Sequence, residues 1–310
     1  NKGDFIMESI YKNCPQYKSK SFMLRLVNID DAEALLKCYS DKTAVEKIND
    51  DNCLSSFYFT ELTQMQDCIN FWLDEYSQEF YVRFSIILKQ LNTPIGTVEI
   101  SGGEFGILRI DIATEYETEE YLEGILKIAI FDFVPDFGIE NIEIKASNTP
   151  ERIDLLKKYG FTASKTFRPG LGYYERKIHN YFNKSKGLAY CGLACCVCSE
   201  NINCAGCRND GCNGKEWCKP FMCCKEKGIE GCWKCSDFPC DNPMLNKLRI
   251  RTFNNFIKEY GEEALINCLQ KNEEKGIIYH YDSQLIGDYD LFSTEEEIKE
   301  LILCGLELLI

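Results

Sequence analysis

The sequence predicts an α/β (α+β) domain followed by a small cysteine-rich domain with helical extensions. Strand and helix patterns alternate through the first part of the chain, whereas 13 of the 19 cysteines lie between Cys191 and Cys240. After Cys240 the spacing of apolar residues turns helical. Polar, flexible residues around "NKSKGLAY" place the boundary near Asn183, so the predicted domains are 1–183 and 184–310.

The first domain opens with a strand and two helices. "SFMLRLV" has the composition of a strand, and "NIDDAEALLKCYS" that of a helix capped by Asn28 or Asp30. "TQMQDCINFWLDEYS" is predicted to be helical because Met65, Ile69 and Trp72 recur at helical spacing.

Three strands and a long helix are predicted next. "EFYVRFSIILK" and "PIGTVEISG" flank the turn residues of "QLNTP", and "GILRIDIAT" is a third strand. "TEEYLEGILKIAIFDFV" is predicted to form a helix that ends at Pro135, because proline cannot continue the hydrogen-bond ladder.

The domain is predicted to close with a strand, a helix and two final strands. "IENIEIKAS" is the strand, and "PERIDLLKKYG" is the helix, with Pro150 near its start and Gly160 past its end. "FTASKTFRP" and "YYERKIH" complete the sheet.

The second domain is predicted to carry helices after its cysteines. "PMLNKLRIRTFNNFIKEYG" and "EEALINCLQKNEEKG" are helical, "GIIYHY" is a short strand, and a terminal helix begins at Ser293 and Thr294. Acidic residues in the first turn of "STEEEIKELI" stabilise a helix N-terminus.

The charge of the chain limits its partners. The net charge is −14, so we expect no general binding to nucleic acid, whose phosphates such a surface repels. An acidic surface suits a cationic substrate such as an amine, although solubility alone explains many acidic proteins. There is no apolar run of about 18 residues and no signal-peptide pattern at the start, so we expect no membrane segment and a cytoplasmic location.

The clustered cysteines have the spacing of metal ligands. Cys-x-x-Cys occurs at Cys195 and Cys198, at Cys204 and Cys207, and at Cys232 and Cys235. Two thiols at this spacing can grip one tetrahedral ion, and two such pairs complete a site.

Three interpretations of the cluster compete. Disulfides need an oxidising compartment, for which the sequence gives no indication. Iron–sulfur clusters also use four thiolates, but the spacings differ from the common ferredoxin patterns. Zinc fits best, in closed structural sites that hold about two or three ions. A less favoured alternative is a metal or redox sensor.

The predicted zinc ligands are eleven of the thirteen clustered cysteines. Spacing selects Cys195 over Cys196, whereas Cys223 over Cys224 is close to an arbitrary choice. The predicted set is Cys191, Cys195, Cys198, Cys204, Cys207, Cys212, Cys218, Cys223, Cys232, Cys235 and Cys240. His179 and His280, the only histidines, are predicted to be surface or packing residues.

This region resembles a known family. "YCGLACCVC", "CAGC" and "CCKEKGIEGCWKCSDFPC" are similar to an uncharacterised bacterial family of Cys-rich domains regarded as zinc-binding, from about residue 188 to 240. The resemblance implies metal binding and no activity.

The first domain resembles the GNAT superfamily of acyl-CoA-dependent N-acetyltransferases over about residues 21–178. The likeness rests on the strand–helix order and on "EIKASN", which places Glu143 and Asn148 in the family's Glu-x-x-x-x-Asn pattern before a helix ending in Gly160 and Phe161. It implies an acyl-CoA acyltransferase fold in which two central parallel strands separate around acetyl-CoA.

The resemblance also implies roles for individual residues. Glu143 would be the general base, and Tyr159 could substitute as general acid because Leu156 stands at the family's Tyr position. A packing role is the favoured interpretation of Tyr159. The implied cofactor-binding residues are Ile112, Ala113, Thr114, Tyr121, Leu122 and Asn148. On pattern alone, a solvated strand residue is the favoured interpretation of Glu143, since it alternates with Ile142 and Ile144. The resemblance makes the two interpretations about equal.

The loop expected to bind pyrophosphate departs from the family pattern. "ETEEYL" places Glu117, Glu120 and Leu122 where the family has Gln or Arg and two small residues. Acidic side chains repel phosphates, and losing glycine blocks close approach of the backbone. Because Glu143 and Asn148 are both present, the resemblance nevertheless implies an N-acetyltransferase acting on a primary amine of a small molecule or protein. A degenerate, non-catalytic binding or interaction protein is the alternative, and neither the amine nor the protein partner is specified.

Overall fold

The structure is a computed structural model that describes residues 10–51, 56–147, 149–178, 180–200 and 203–304. The chain divides into two compact units, of which unit 1 ends at Ile178 and unit 2 starts at His179. This division falls at 178/179 rather than at the expected 183/184.

Unit 1 is built on one mixed eight-stranded sheet. Its order is β1-β2-β3-β4-β5-β6-β8-β7, and all neighbours are antiparallel except β5 and β6, which are parallel. The mixed sheet is consistent with the predicted GNAT-like fold. The strands are β1 (Tyr17–Lys18), β2 (Phe22–Leu26), β3 (Val82–Leu88), β4 (Thr93–Ile100), β5 (Phe105–Ile112), β6 (Asn141–Lys145), β7 (Thr162–Ala163) and β8 (Tyr173–Lys177).

Six helices accompany the sheet in the described part of unit 1. They are α1 (Ala32–Tyr39), α2 (Lys42–Asp50), α3 (Leu62–Ser77), α4 (Glu119–Ile128), α5 (Val134–Phe137) and α6 (Pro150–Lys158). Leu35, Tyr39, Ile69 and Trp72 form part of one buried apolar cluster between α1 and α3. Helices α4 and α6 contact each other.

The helix expected to stop at Pro135 instead runs through it. A π-helical stretch at Ala129–Phe133 joins α4 to α5, and the helix ends at Gly138, whose φ of 60° is left-handed. Pro135 lies in the first turn of α5, where a missing N–H costs little. The π-helical stretch therefore places the start of α5 at Val134, directly before the proline.

Unit 2 contains four helices among its described residues and is otherwise built of short turns. They are α7 (Lys219–Lys227), α8 (Leu248–Tyr260), α9 (Glu262–Glu274) and α10 (Glu295–Cys304). Thr294 caps α10, since its hydroxyl accepts from the Glu297 N–H and the Glu297 carboxylate accepts from the Thr294 N–H.

The expected strand "GIIYHY" does not form. Its backbone is held by a carboxylate instead of a neighbouring strand, because Asp288 accepts from the Ile278 N–H and from the Tyr281 hydroxyl. As for membrane segments, none of the helices within the described residues combines the length and the apolar character needed to cross a bilayer.

Candidate functional site

The parallel strands β5 and β6 separate along their length. Their pairing runs from Phe105 opposite Asn141 to Leu108 opposite Ile144, whereas β5 continues to Ile112 beside β4. The last four residues of β5 therefore have no partner in β6, which stays paired with β8. Such a separation exposes backbone groups of a central strand to a ligand.

A cavity of about 640 Å³ lies near this end of the strands. It is lined mainly by residues of α2, α4 and α6 and by the segment that leads from β5 into α4. The charged side chains in the lining are Lys47, Glu117, Glu119, Glu151, Arg152, Asp154 and Lys158. The cavity is thus large enough for part of a cofactor, but its lining has four carboxylates against three cations.

Glu117 is held at the centre of this charged lining. Its carboxylate accepts from Lys47 Nζ at 2.7 Å and from Arg152 Nε at 2.8 Å. Arg152 Nη2 also reaches the carbonyl oxygen of Ile110 at 3.4 Å, on the part of β5 that has separated from β6. Burial acts to raise the pKa of Glu117, but the charges of Arg152 and Lys47 outweigh it and hold that pKa below its ordinary value.

Some of the residues predicted to bind the cofactor lie at the cavity or next to it. Leu122 and Thr114 line the cavity. The amides of Ala113 and Thr114 are already engaged, by the carbonyl of Ile95 at 3.1 Å and by the carboxylate of Asp41 at 3.1 Å. These two amides therefore bind a cofactor only if they exchange partners.

The other predicted cofactor residues have different surroundings. Ile112 pairs with Gly96 of β4. Tyr121 packs its ring near Tyr116 and Phe22. Asn148 lies outside the described residues, so its role remains a prediction.

Glu143 is a buried acid on β6. Its side chain is 0% exposed, which makes the interpretation as a solvated strand residue wrong. Neither carboxylate oxygen has a hydrogen-bond partner among the described residues. Burial raises the pKa of Glu143 to about 7; the nearby Ser164 hydroxyl acts to lower this pKa, and the charge of Glu175 acts to raise it.

Glu175 is a neighbour of Glu143 that sequence reasoning missed. The two residues are paired across β6 and β8, so their side chains share one face of the sheet. Glu175 accepts hydrogen bonds from Thr166 at 2.8 Å and from Ser164 at 3.3 Å. The sequence did predict both strands, but the register that sets the two carboxylates side by side is a tertiary property.

Tyr159, the suggested general acid, is placed as a packing residue. Its ring is 1% exposed and its hydroxyl donates to Glu123 Oε1 at 2.5 Å. This bond ties the end of α6 to α4. Its role as a general acid remains an untested prediction, and the structure does not bring it into the lining of the cavity.

Lys47 and Arg152 are the other charged residues missed from the sequence. Helix α2, which carries Lys47, was not predicted. Arg152 lies in a predicted helix, but its sequence neighbours do not indicate that it points toward Glu117.

The clustered cysteines of unit 2 are free thiols that contribute to its core. Each cysteine whose side chain the structure describes is unbridged. Cys191, Cys207, Cys224 and Cys232 are buried with Phe221 and with other apolar residues. Burial raises the pKa of Cys191 to about 12, so this thiol is neutral in the absence of a metal.

Some of the clustered cysteines have a close sulfur or nitrogen neighbour that bears on metal binding. Cys224 Sγ lies 3.9 Å from Cys232 Sγ, whereas Cys223 is exposed. The geometry therefore favours Cys224 over the Cys223 chosen from the sequence as the thiol that faces Cys232. Cys198 Sγ lies 3.7 Å from Nδ1 of the buried His280. His179 lies outside the described residues.

The structure does not support the predicted zinc sites. Among the residues it describes, no three Cys, His, Asp or Glu side chains are grouped closely enough to hold a metal ion. A closed structural site needs four ligands, whereas the contact between Cys224 and Cys232 provides two. The Cys-rich character of unit 2 is confirmed, and zinc stays a prediction.

One family model matches the chain, over residues 199–244, and its description is protein of unknown function (DUF3795). The match lies within unit 2 and overlaps the region of the predicted Cys-rich resemblance. It spans too little of the chain to assign the whole protein to that family. No curated protein matches the chain.

Solved structures similar to part of this chain include acetyltransferases. The ribosomal-protein-S5-alanine acetyltransferase of Vibrio fischeri is 13% identical over 53% of this chain and 96% of its own, with a TM-score of 0.43. A GNAT-family acetyltransferase of Bacillus anthracis is 16% identical over 53% and 98%, with a TM-score of 0.38. The microcin C7 self-immunity acetyltransferase MccE, solved with acetyl-CoA and AMP, is 13% identical over 52% and 94%, with a TM-score of 0.41. Similarities this low do not establish an activity for this chain.

Proposed function

We propose that unit 1 is an acyl-CoA-dependent N-acetyltransferase that acts on a primary amine of a small molecule or protein. The observation that carries the proposal is the separation of β5 from β6 near an open cavity. The candidate base is the buried Glu143, which pairs with Ile107 on the part of β6 still joined to β5 and is not among the residues that line the cavity. The separated strands give a thioester a place between them, and the carboxylate gives the amine a proton acceptor.

The chemistry is a direct transfer. Glu143 takes a proton from the incoming ammonium, directly or through a water molecule, and the neutral amine attacks the thioester carbonyl carbon. A C–N bond forms, the C–S bond breaks, and CoA leaves as a thiolate that takes up a proton. A base with a pKa of about 7 is ionised often enough near neutral pH and still strong enough to accept the proton.

The burial of Glu143 sets a condition on this mechanism. Because its side chain has no exposed surface, an acceptor amine reaches it only when covering residues shift or when a water molecule relays the proton. Hydrogen bonds in catalytic sites commonly tighten only when substrate is bound. The proposal assigns no chemical step to unit 2, where zinc stays a structural prediction from the cysteine spacing.

The acidic lining of the cavity favours a second candidate, a non-catalytic binding module. Four carboxylates against three cations disfavour a polyphosphate. Such a lining is expected of a protein that retains the acetyltransferase-like fold but no longer binds acyl-CoA. The unpartnered Glu143 argues against this alternative, since a buried acid without a partner is costly to retain.

Calorimetric titration of acetyl-CoA distinguishes the two candidates. We expect micromolar binding that weakens at least tenfold in Asn148→Ala. Asn141→Ala, at the other end of β6, is the matched control and should bind as the wild type does. No heat with acetyl-CoA, and none with longer acyl-CoAs, would support the non-catalytic candidate instead.

A further inference from the structure

Two cationic side chains in the cavity of unit 1 both form ion pairs with one carboxylate of the chain itself. Lys47 and Arg152 come from different helices and meet on the carboxylate of Glu117, one on each oxygen. The side chains of Arg152 and Glu117 are 9% and 6% exposed, whereas that of Lys47 is 30% exposed. The site is therefore built into the fold and opens to solvent on the lysine side.

The position of Arg152 requires an anion. A guanidinium this deeply buried is costly unless a negative charge is close to it, and Glu117 provides that charge. The carboxylate bridges the two cations with contacts of 2.7 and 2.8 Å, which is the geometry that a phosphate oxygen pair adopts between the same groups.

Glu117 lies in a connecting segment, where its side chain can rotate away from Lys47 and Arg152. It lies between the short turn at Thr114–Tyr116 and the start of α4 at Glu119, so it belongs to neither helix. Rotation of its side chain toward solvent would free both cations, with no change required in either helix. The first turn of α4 then presents its N–H groups to the same space.

We propose that Lys47 and Arg152 form the phosphate-binding site of the cavity and that Glu117 occupies it as an internal competitor when no ligand is bound. A phosphate-bearing ligand displaces the carboxylate and takes over both contacts. For acyl-CoA as the ligand, this inference rests on the proposed function. Binding of a simple polyphosphate is independent of it.

The two cations explain how a loop without glycines can still bind a phosphate-bearing ligand. Backbone N–H groups no longer surround the phosphate closely, so two side-chain cations replace them. The resident carboxylate lowers the affinity for any ligand that fails to bring enough negative charge. The site thereby selects polyphosphates over single carboxylates and chloride.

Titration of inorganic pyrophosphate into the protein as purified, in buffer of low ionic strength without added divalent metal, tests the proposal. We expect weak binding by the wild type and binding at least about tenfold tighter by Glu117→Gln, because the competitor is removed while the cations remain. The double variant Glu117→Gln/Arg152→Gln should lose the gain. Glu151→Gln neutralises an exposed acid of the same lining that forms no ion pair with Lys47 or Arg152 in the described structure. It should gain clearly less affinity than Glu117→Gln, because solvent screens the charge of an exposed carboxylate.

Two results would overturn the inference. One is equal pyrophosphate affinity in wild type and Glu117→Gln, and the other is an equal gain in Glu151→Gln, which would reveal a general charge effect. If Glu117→Gln fails to fold, Lys47→Met replaces it, because this lysine is partly exposed. Unchanged pyrophosphate affinity in Lys47→Met would equally reject the site.

The outcomes also separate this inference from the proposed function. Tighter pyrophosphate binding by Glu117→Gln without any binding of acetyl-CoA would retain the anion site and reject the acetyltransferase. Acetyl transfer by a wild type whose CoA affinity does not depend on Glu117 would reject the anion site and retain the enzyme.

Discussion

Glu143 could be located from the sequence, but its environment could not. The pattern "EIKASN" placed it on a strand before a helix, and the structure has it on β6. Alternation with Ile142 and Ile144 predicted that Glu143 faces solvent if only one side of the sheet is covered. Both sides of β6 are covered, so the acid is buried and its pKa rises.

The pH dependence of stability tests this burial. The pKa of Glu143 is about 7 in the folded protein and near 4.5 when unfolded. Between these values the unfolded chain loses the proton first, so the wild type loses stability as the pH rises. Glu143→Gln removes the penalty, and its advantage in free energy of unfolding should grow by up to about 3 kcal/mol between pH 5 and pH 8.

Urea denaturation at both pH values measures this difference. Glu273 in unit 2, whose pKa is also raised to about 7, is present in both proteins and cancels in the comparison. Glu140→Gln, at an exposed position beside β6, should track the wild type. A Glu143→Gln protein whose advantage is the same at pH 5 and pH 8 would show that the acid is not buried.

Asp111 is the residue on which the buried charges of β3, β4 and β5 depend. It accepts from Arg83 at 2.8 Å, from Arg109 at 2.9 Å and from the Tyr39 hydroxyl at 2.9 Å. Asp111→Ala leaves buried guanidinium groups short of an anion, so we expect a loss of about 3–5 kcal/mol in the free energy of unfolding. Tyr39→Phe, which removes one neutral donor, should cost about 1 kcal/mol. Equal losses of unfolding free energy in Asp111→Ala and Tyr39→Phe would contradict the role of Asp111 as the anion that pairs with the buried arginines.

At the scale of elements, periodic apolar patterns predicted most of the strands and helices. Strands β2 to β6 and helices α3, α6, α8, α9 and α10 formed close to where the sequence placed them. The failures have local causes. A carboxylate held "GIIYHY" out of a strand, and a π turn carried the helix through Pro135. Both depend on contacts that a sequence pattern does not contain.

Gly96 tests the pairing of β4 with β5. A Cβ built at this position would lie 2.2 Å from the carbonyl oxygen of Asp111 and 2.7 Å from the Cα of Ile112. Gly96→Ala must therefore push the two strands apart, and we expect a loss of about 1–3 kcal/mol in the free energy of unfolding. Thr93→Ala, at the partly exposed start of the same strand, should cost less than about 1 kcal/mol. A Gly96→Ala protein as stable as the wild type would mean that the strands pair differently.

The cysteine turns of unit 2 test the zinc prediction. The Sγ–Sγ separation of 3.9 Å between Cys224 and Cys232 matches the edge of a tetrahedral thiolate site, about 3.8 Å for Zn–S bonds of about 2.3 Å. Complete sites therefore require further thiols to move toward such pairs. Metal analysis of gently purified protein should find about two or three zinc ions, and a strong chelator should lower the melting temperature of unit 2. Metal-free protein with unchanged melting would contradict the prediction.

At the scale of the whole molecule, the candidate site joins segments that are far apart in sequence. Lys47, Glu117 and Arg152 come from α2, from the segment before α4 and from α6. The sequence identified Glu117 as an obstacle to phosphate, because an acid replaces the expected residue. The sequence could not show that Lys47 and Arg152 surround Glu117, since this arrangement depends on how the helices pack. The net charge of −14 likewise hides this local pair.

Acetyl transfer from acetyl-CoA to amines is the decisive test of the activity proposed for unit 1. Purified full-length protein is incubated with acetyl-CoA and a panel of primary amines and peptides with free N-termini, and released CoA thiol is recorded from pH 5.5 to pH 9. We expect amine-dependent release that rises through a pKa near 7 and falls by at least about a hundredfold in Glu143→Gln. Release that no amine stimulates, or a Glu143→Gln protein as active as the wild type, would contradict it.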